Sequence, residues 1–412
     1  MAHEDAPSVR RYEEQRWLID TVIGTVGIEW DQARVVYMSA PGGVEALAEF
    51  RATAARIQKY ADIDREFVTQ AKRRQAKAKA AEDAGNRVSA RESYFIASLL
   101  WATARWPIHS ATEALLEMEV KMNECFDKFI GFADRPIERV EIPFGDQFLP
   151  AYLHLPHAPK DGETFPCIVT SQGMDGCKET AVSIYGDKAL ERGIAVLGLD
   201  GPGQGECFSR RVLVTASNHG DAVSAAYDWL EARTEIDSDR LGFRGTSFGS
   251  YFGAVAAAAL GDRMKACVLA AVCQEPGCNT IFNQASPTFK MRFMYMAGYT
   301  DEAAFDEFCK TIDLRPIVGD ITADVLCVAG SDDELSPIEH TYDLMARIKA
   351  PKKLIVYEGA RHGLWQATSV AAGKNPHNAI ADWLQERLVK GGDMASEQVH
   401  VDPLGRETVS PY

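Results

Sequence analysis

The stretch Leu241-Gly-Phe-Arg-Gly-Thr-Ser-Phe-Gly-Ser-Tyr-Phe-Gly253 restricts this chain more than any other. An apolar run leads into Gly245-Thr-Ser-Phe-Gly249, and the small residues Ala254-Val-Ala-Ala-Ala-Ala-Leu260 follow. The spacing predicts a short strand, a sharp turn and a helix, with the serine of G-x-S-x-G at the apex. Such a turn forces Ser247 into a strained backbone conformation and lifts its hydroxyl clear of the sheet. Gly245 and Gly249 lack a Cβ, so strand and helix can approach without collision.

A strand–turn–helix of this kind needs neighbouring strands. From Pro166 onward, short apolar runs alternate with helical segments: Cys167-Ile-Val-Thr170, Ile194-Ala-Val-Leu-Gly-Leu199, Ala266-Cys-Val-Leu-Ala-Ala-Val272, Val325-Leu-Cys-Val-Ala329 and Lys353-Leu-Ile-Val-Tyr357. Near-continuous apolar strands separated by helices predict an α/β chain with a mostly parallel sheet covered on both faces. Alternation at Arg139–Phe144 and an apolar run at Phe148–Pro156 predict a hairpin before it. Residues 1–132 read as helical, forming an N-terminal lid region. Leu47, Phe50, Ala54 and Ile57 share one helical face, and one helical hairpin is expected around the break Ala81–Asn86. The core is expected over 133–392. Phe282, Phe289, Met291, Phe293, Met294, Tyr295 and Met296 mark an insertion at about 276–320 as a second lid element. The polar stretch 393–412 reads as a loosely ordered tail.

A serine hydroxyl is a poor nucleophile until a base removes its proton. Downstream of Ser247, strand Val325–Ala329 ends in Gly330-Ser-Asp-Asp-Glu-Leu-Ser-Pro337, and strand Lys353–Tyr357 ends in Glu358-Gly-Ala-Arg-His-Gly-Leu-Trp365. Ser247, an aspartate and His362 thus follow in the order serine, acid, histidine. Asp333 is the expected acid, with Asp332 the competitor that would instead cap the next helix. His109, His154, His219, His340 and His377 lack a comparable setting. An oxyanion would need N–H donors. Phe248 opens the elbow helix, and Met174 is the expected second donor in the loop Ser171–Lys178, with Gly173 the alternative. Asp175 in that loop has two readings, a substrate-contacting carboxylate or a cap or turn residue for a helix at 178–191.

The formal net charge of -15 argues against nucleic acid or an anionic membrane as partner. The basic run Lys72–Lys79 reads as a solvated helix face, and Trp101, Trp106 and Tyr94 read as core. Met1-Ala-His-Glu-Asp lacks the regions of a signal peptide, which predicts a cytoplasmic chain. Nine scattered cysteines contain no C-x-x-C pair, so no metal site is expected. Cys177, in a loop, is expected to be an inert thiol. Asp200-Gly-Pro-Gly-Gln-Gly-Glu206 follows a strand but has neither a dinucleotide nor a P-loop pattern. It reads as a turn, and no cofactor is expected.

That string, the loop Gly173-Met-Asp-Gly-Cys-Lys-Glu179, the elbow and the helical N-terminal region together resemble the family of 2,6-dihydroxypseudooxynicotine hydrolase and the polyketide chain-shortening hydrolases, over roughly residues 45–390. The resemblance implies an α/β-hydrolase fold with a helical lid, a homodimer, and cleavage of a carbon–carbon bond beside a ketone. It places the triad on Ser247, Asp333 and His362 and an extra active-site carboxylate on Asp175. Relatives favour Gly-Gly-Leu where this chain has Gln172-Gly-Met174, and Leu and Gly where it has Phe248 and Ser250. The expected substrate is a small ketone (a β-diketone or acylphenol) or an ester. A carboxylesterase with the same triad is the first alternative, and a non-catalytic binding or regulatory protein on the same fold is the second.

Overall fold

The computed structural model describes residues 6–364 and 368–412, so the stretch Met1–Asp5, on which the expectation of no leader rests, lies outside it. Ten strands form one sheet: β1 Ile137–Phe144, β2 Gln147–His154, β3 Phe165–Ser171, β4 Ala195–Leu199, β5 Ile236–Ser247, β6 Ala266–Val272, β7 Asp324–Gly330, β8 Lys352–Tyr357, β9 Glu397–Val401 and β10 Glu407–Pro411. Their spatial order is β1-β2-β4-β3-β5-β6-β7-β8-β9-β10. The strands from β4 across to β9 run parallel, and antiparallel pairs close both ends. Every residue of β3, β4 and β6 is buried, as helices on both faces require. The covered, mostly parallel sheet expected from the apolar runs is present.

Among the described residues, six α-helices precede the sheet: α1 Arg10–Val26, α2 Arg34–Ser39, α3 Gly43–Ala54, α4 Ile63–Asp83, α5 Arg87–Ala104 and α6 Glu113–Phe132. The later helices are α7 Gly205–Ser209, α8 His219–Glu231, α9 Phe248–Leu260, α10 Pro287–Ala297, α11 Glu302–Cys309, α12 Ile338–Arg347 and α13 Pro376–Gln385. Residues of α8 and α9 fill the core on one face of the sheet, while Ile380, Trp383 and Leu384 of α13 fill the other. The helical layer has its own core around Phe50, Phe67, Phe95 and Phe126. It meets the sheet where Phe126 packs on Tyr152 of β2, ring centres 4.4 Å apart.

Three expectations are corrected. The N-terminal region is not one hairpin. The α4–α5 hairpin exists, but α6 packs along α5 as a third long helix and α1–α3 precede them. Only Ile19 and Ile23 are buried in α1, so its apolar stripe is too thin for periodicity to expose it. Nor is there a helix over 178–191. Lys178–Thr180 forms a single 3-10 turn, and Gly186 adopts φ 101°. Polar side chains that a surface helix would turn to water are instead turned inward here. Finally, 393–412 is no loose tail: β9 pairs with β8, Val399 and Val401 enter the core, and β10 adds an edge strand. The alternation of Val399 and Val401 carried that signal within a polar composition. Lys72, Arg73, Lys77 and Lys79 are exposed as expected, but Arg74 of the same run is buried against Glu45 and Glu49. Among the described residues, no helix is long and apolar enough to cross a membrane.

What turns residues 178–179 inward is a buried ion cluster. Lys178 Nζ lies 2.6 Å from Glu206, 2.7 Å from Glu179 and 3.2 Å from Asp200, all essentially inaccessible to water. Asp200 also accepts the backbone N–H groups of Lys178 and Glu206 at 2.7 and 3.0 Å, and Arg139 reaches Glu206 from β1 at 3.1 Å. The acidic ends of Asp200–Glu206 therefore serve as counter-ions that join this turn to the loop after β3. Removing one partner of such a cluster leaves buried charge uncompensated. Lys178→Met is expected to lower stability by about 3–5 kcal/mol, read as a lower urea midpoint. An unchanged midpoint would show that the cluster does not hold the two loops.

Candidate active site

The elbow has the geometry that its glycines require. Ser247 ends β5 with φ 59° and ψ -125°, a left-handed conformation that costs a residue with a side chain about 1–3 kcal/mol. The packing around it holds the strain. A Cβ on Gly245 would lie 1.9 Å from the carbonyl oxygen of Gly249, and one on Gly249 would lie 2.2 Å from that of Ser171. Neither position admits any other residue, so strand, turn, helix and the end of β3 interlock. Ser247 remains half-buried at the turn.

The loops after β7 and β8 bring their side chains to this serine. His362 Nε2 is 2.9 Å from Ser247 Oγ, and His362 Nδ1 is 2.9 and 3.2 Å from the two oxygens of Asp333. Asp333 is held in turn, since Oδ1 accepts the N–H groups of Leu335 and Ser336 at 2.8 and 3.0 Å. A carboxylate that accepts from Nδ1–H leaves Nε2 free to accept from the serine hydroxyl. Asp332, the competitor, is exposed and bonded to Ser331. Glu334 accepts the backbone N–H of His362 at 3.0 Å. Burial pushes the His362 pKa down, but the charge and hydrogen bond of Asp333, with help from Glu334, outweigh it and leave it raised.

The loop after β3 closes over the same serine. A Cβ on Gly173 would sit 2.8 Å from Ser247 Cβ and 3.1 Å from its Oγ, so the backbone there is in contact with the nucleophile position. Gln204, from the turn Asp200–Glu206, clamps this loop. Its amide donates to the carbonyls of Gln172 and, at 3.2 Å, Gly173, while its Oε1 accepts from Ser171 Oγ at 3.0 Å. A trans peptide points its N–H opposite to its carbonyl. With both carbonyls on Gln204, the N–H groups of Gly173 and Met174 face away from it. Phe248 is the first residue of α9, where an N–H has no acceptor within the helix. Its ring packs on Phe293 of α10 at 4.6 Å and on Phe282 at 5.8 Å.

Asp175 caps no helix. Its Oδ2 accepts from the Tyr37 hydroxyl at 2.8 Å and from Arg34 Nε at 3.2 Å, both on α2. Arg34 also pairs with Asp31 and lies 4.0 Å from the Trp106 ring centre. A carboxylate beside an oxyanion site would repel developing charge, and the buried Arg34 offsets it. Arg292 of α10 donates from Nε to the Met174 carbonyl at 3.1 Å, tying the insertion to this loop. Gln204, Arg34, Tyr37 and Arg292 were not singled out from the sequence. Only Gln204 lay in a motif that could have flagged it, since the others sit on helices whose polar residues reach the site through tertiary packing. Cys177 is buried, with burial pushing its thiol pKa up. His109, His154 and His219 are buried and pushed down to about 3 by desolvation, apart from Ser247. A 650 Å³ surface depression lined by Gln75, Lys79, Tyr94, Glu124, Asp127 and Lys128 shares no residue with this cluster.

If His362 acts as base it must be neutral, so activity should rise with pH through its pKa. The expected kcat/KM profile has an acid limb with its midpoint above the ordinary histidine value of 6.5. Asp333→Asn should lower kcat by about 10⁴-fold and move that midpoint down, whereas Asp332→Asn should leave both near wild type. Equal losses from the two variants would reject Asp333 as the partner of His362.

Comparison with known proteins places the chain in a family. The alpha/beta hydrolase xenA of Xenoacremonium sinensis is 28% identical over 252 residues, 58% of each chain. 2,6-Dihydropseudooxynicotine hydrolase of Paenarthrobacter nicotinovorans is 25% identical over 276 residues, 66% of this chain and 70% of that one. The chain spans less than two thirds of the length of xenA and of the alpha/beta hydrolase gkaG of Penicillium citrinum, 58% in both cases. The crystal structure of 2,6-dihydroxy-pseudo-oxynicotine hydrolase superposes with a TM-score of 0.73 at 22% identity, covering 87% of this chain and 97% of that one. Wild-type AbyA5 superposes with a TM-score of 0.62 at 19% identity, covering 85% and 97%. The fold is therefore the α/β-hydrolase fold. Residues 59–304 match the family described as Esterase FrsA-like, and the chain belongs to that family.

Proposed function

We propose that the chain is a serine hydrolase that cleaves a carbon–carbon bond beside a ketone through an acyl-enzyme. One observation carries the serine-hydrolase part of the reading: the unbroken hydrogen-bonded line from Ser247 Oγ through the His362 ring to Asp333. In this reading Ser247 attacks the ketone carbon and His362 Nε2 takes its proton. Asp333 stabilises the imidazolium. The N–H groups of Phe248 and Met174, or Gly173 in place of Met174, receive the oxyanion. Collapse reforms the carbonyl on Ser247 and sends the carbon–carbon bonding pair onto the leaving carbon, which His362 protonates. Water, deprotonated by His362, then releases a carboxylic acid and restores the serine. Neither metal nor cofactor enters this sequence.

The carbon leaving group separates this reading from a carboxylesterase. An ester leaves through oxygen and needs only the triad and oxyanion donors. A departing carbon must leave as a stabilised enolate or ring carbanion. Asp175 is proposed to orient the hydroxyl or enol that stabilises it. Among the described residues, both of its side-chain hydrogen bonds fall on Oδ2, and Oδ1 is proposed to meet the substrate. The helical N-terminal region and the 276–320 insertion are proposed to form the lid. Their junction supports this, with Arg10 N–H donating to Glu302 at 2.9 Å and Arg11 bonding the carbonyls of Asn283 and Ala285. The relatives named as hydrolases, one of them a pseudooxynicotine hydrolase, support the same reading.

Ser247→Ala should lower kcat by about 10³-fold or more with the fold intact, and a fluorophosphonate should label wild type at Ser247. Labelling at another residue would remove the elbow from the mechanism. Asp175→Asn should keep labelling and turnover of a small aryl ester, yet lose about 10- to 1000-fold in kcat/KM on a β-diketone or acylphenol. Equal loss on both substrates would mean that Asp175 only shapes its loop, and no loss on either would reject the assignment.

A further inference from the structure

A buried arginine beside the oxyanion loop has a donor with nothing to bind. Arg292 of α10 is 7% exposed. Its Nε is committed to the Met174 carbonyl at 3.1 Å, and its guanidinium lies 4.0 Å from the Phe208 ring centre. Nη1, however, is buried without a hydrogen-bond partner among the described residues. Leaving a buried charged donor unsatisfied is costly, and a protein tolerates it where a ligand supplies the acceptor. Asp175 acts on Arg292 through its charge rather than a direct bond, because its hydrogen bonds go to Arg34 and Tyr37.

A second unsatisfied atom lies in the same electrostatic neighbourhood. His109 Nε2 is 3.2 Å from the Tyr60 hydroxyl, while His109 Nδ1 is buried without a partner among the described residues. Burial, reinforced by the charges of Arg292 and Arg34, keeps this ring neutral. Arg292, His109 and Tyr60 come from three separate parts of the chain. His109 and Tyr60 share the electrostatic surroundings of Arg292, and Arg292 alone carries that polar environment to Met174.

We propose that Arg292 Nη1 binds the oxygen on which the leaving carbanion's charge comes to rest: the second carbonyl of a β-diketone or the hydroxyl of an acylphenol. This rests on the carbon–carbon hydrolase reading and deepens it. When the bond breaks, its electron pair passes to the carbon and delocalises onto that oxygen. A guanidinium hydrogen bond to the resulting enolate lowers its energy without transferring a proton, and His362 still protonates the carbon. Met174 links the two halves of the reaction. Its N–H is a candidate donor to the attacked carbonyl, and its own carbonyl sets the position of Arg292. Ketone substrates are thereby confined to those with an oxygen function conjugated to the carbon that leaves.

The test is kinetic, with β-diketones of graded enol acidity and one aryl ester as substrates for wild type, Arg292→Gln and Arg292→Lys. The expected result is that Arg292→Gln loses 100-fold or so in kcat/KM on the diketones and less than about threefold on the ester. The loss should grow as the leaving enol becomes less acidic, and Arg292→Lys should recover part of it. A residue that merely positions Met174 would instead lower ester and diketone turnover alike, with no dependence on the leaving group, and that outcome overturns the proposal. Retained ester turnover shows that the variants fold. If Arg292→Gln fails to fold and has no turnover at all, Arg292→Lys decides: diketone-selective loss supports the proposal and uniform loss overturns it. Wild-type enzyme that turns over the ester and no diketone would instead reject the carbon–carbon reading itself, and the role of Arg292 with it.

Discussion

The packing of Gly249 against the carbonyl oxygen of Ser171 is the contact on which the site depends. It lets the start of α9 come so close to the end of β3 that a Cβ at Gly249 would fall 2.2 Å from that oxygen. At that separation the serine between strand and helix has no relaxed conformation, and Ser247 takes φ 59°. The same approach sets the loop after β3 over the serine, with Gly173 against its side chain. Ser247 and the loop proposed to hold the oxyanion donors are thus placed by one steric event. The covered parallel sheet is what keeps them from relaxing apart.

Charge is the second constraint. The loop after β3 carries Asp175 and Lys178 only three residues apart, and each is neutralised by a different layer of the protein. Lys178 turns toward the sheet and is surrounded by Glu179, Asp200 and Glu206. Asp175 turns toward the helical region and meets Arg34 and Tyr37. The loop is pinned from both sides, and Gln204 holds the carbonyls of Gln172 and Gly173 just ahead of Asp175. This arrangement explains how a carboxylate can sit beside the proposed oxyanion donors, because its field is offset by the buried Arg34 and Arg292.

The sheet, the elbow and the positions of Asp333 and His362 were legible because each depends on local signals: apolar runs, glycine spacing, and loops at strand ends. Asp333 was separable from Asp332 by its spacing from Gly330 and Pro337, and the structure brings Asp333 to His362. What was not legible depends on partners distant in sequence. Residues 178–191 carry residue types compatible with a helix, but Lys178 is drawn inward by Asp200, 22 positions away. The residues 397–401 look polar because only Val399 and Val401 face the core, and β8 had to be in place before that alternation meant a strand. Arg34 and Arg292 are ordinary charged residues in helices until the fold brings them to the loop after β3.

In the reaction proposed for this chain, the hydroxyl held by His362 attacks carbon to form an ester while a carbon–carbon bond breaks. Intact-mass spectrometry of enzyme mixed with a β-diketone and acid-quenched within milliseconds tests it directly. The expected result is a transient species heavier by the acyl fragment alone, mapped by peptide digestion to Ser247, with the ketone fragment already free in solution. No adduct, an adduct carrying the uncleaved diketone, or an acyl group on any other residue while the diketone is being turned over would contradict it.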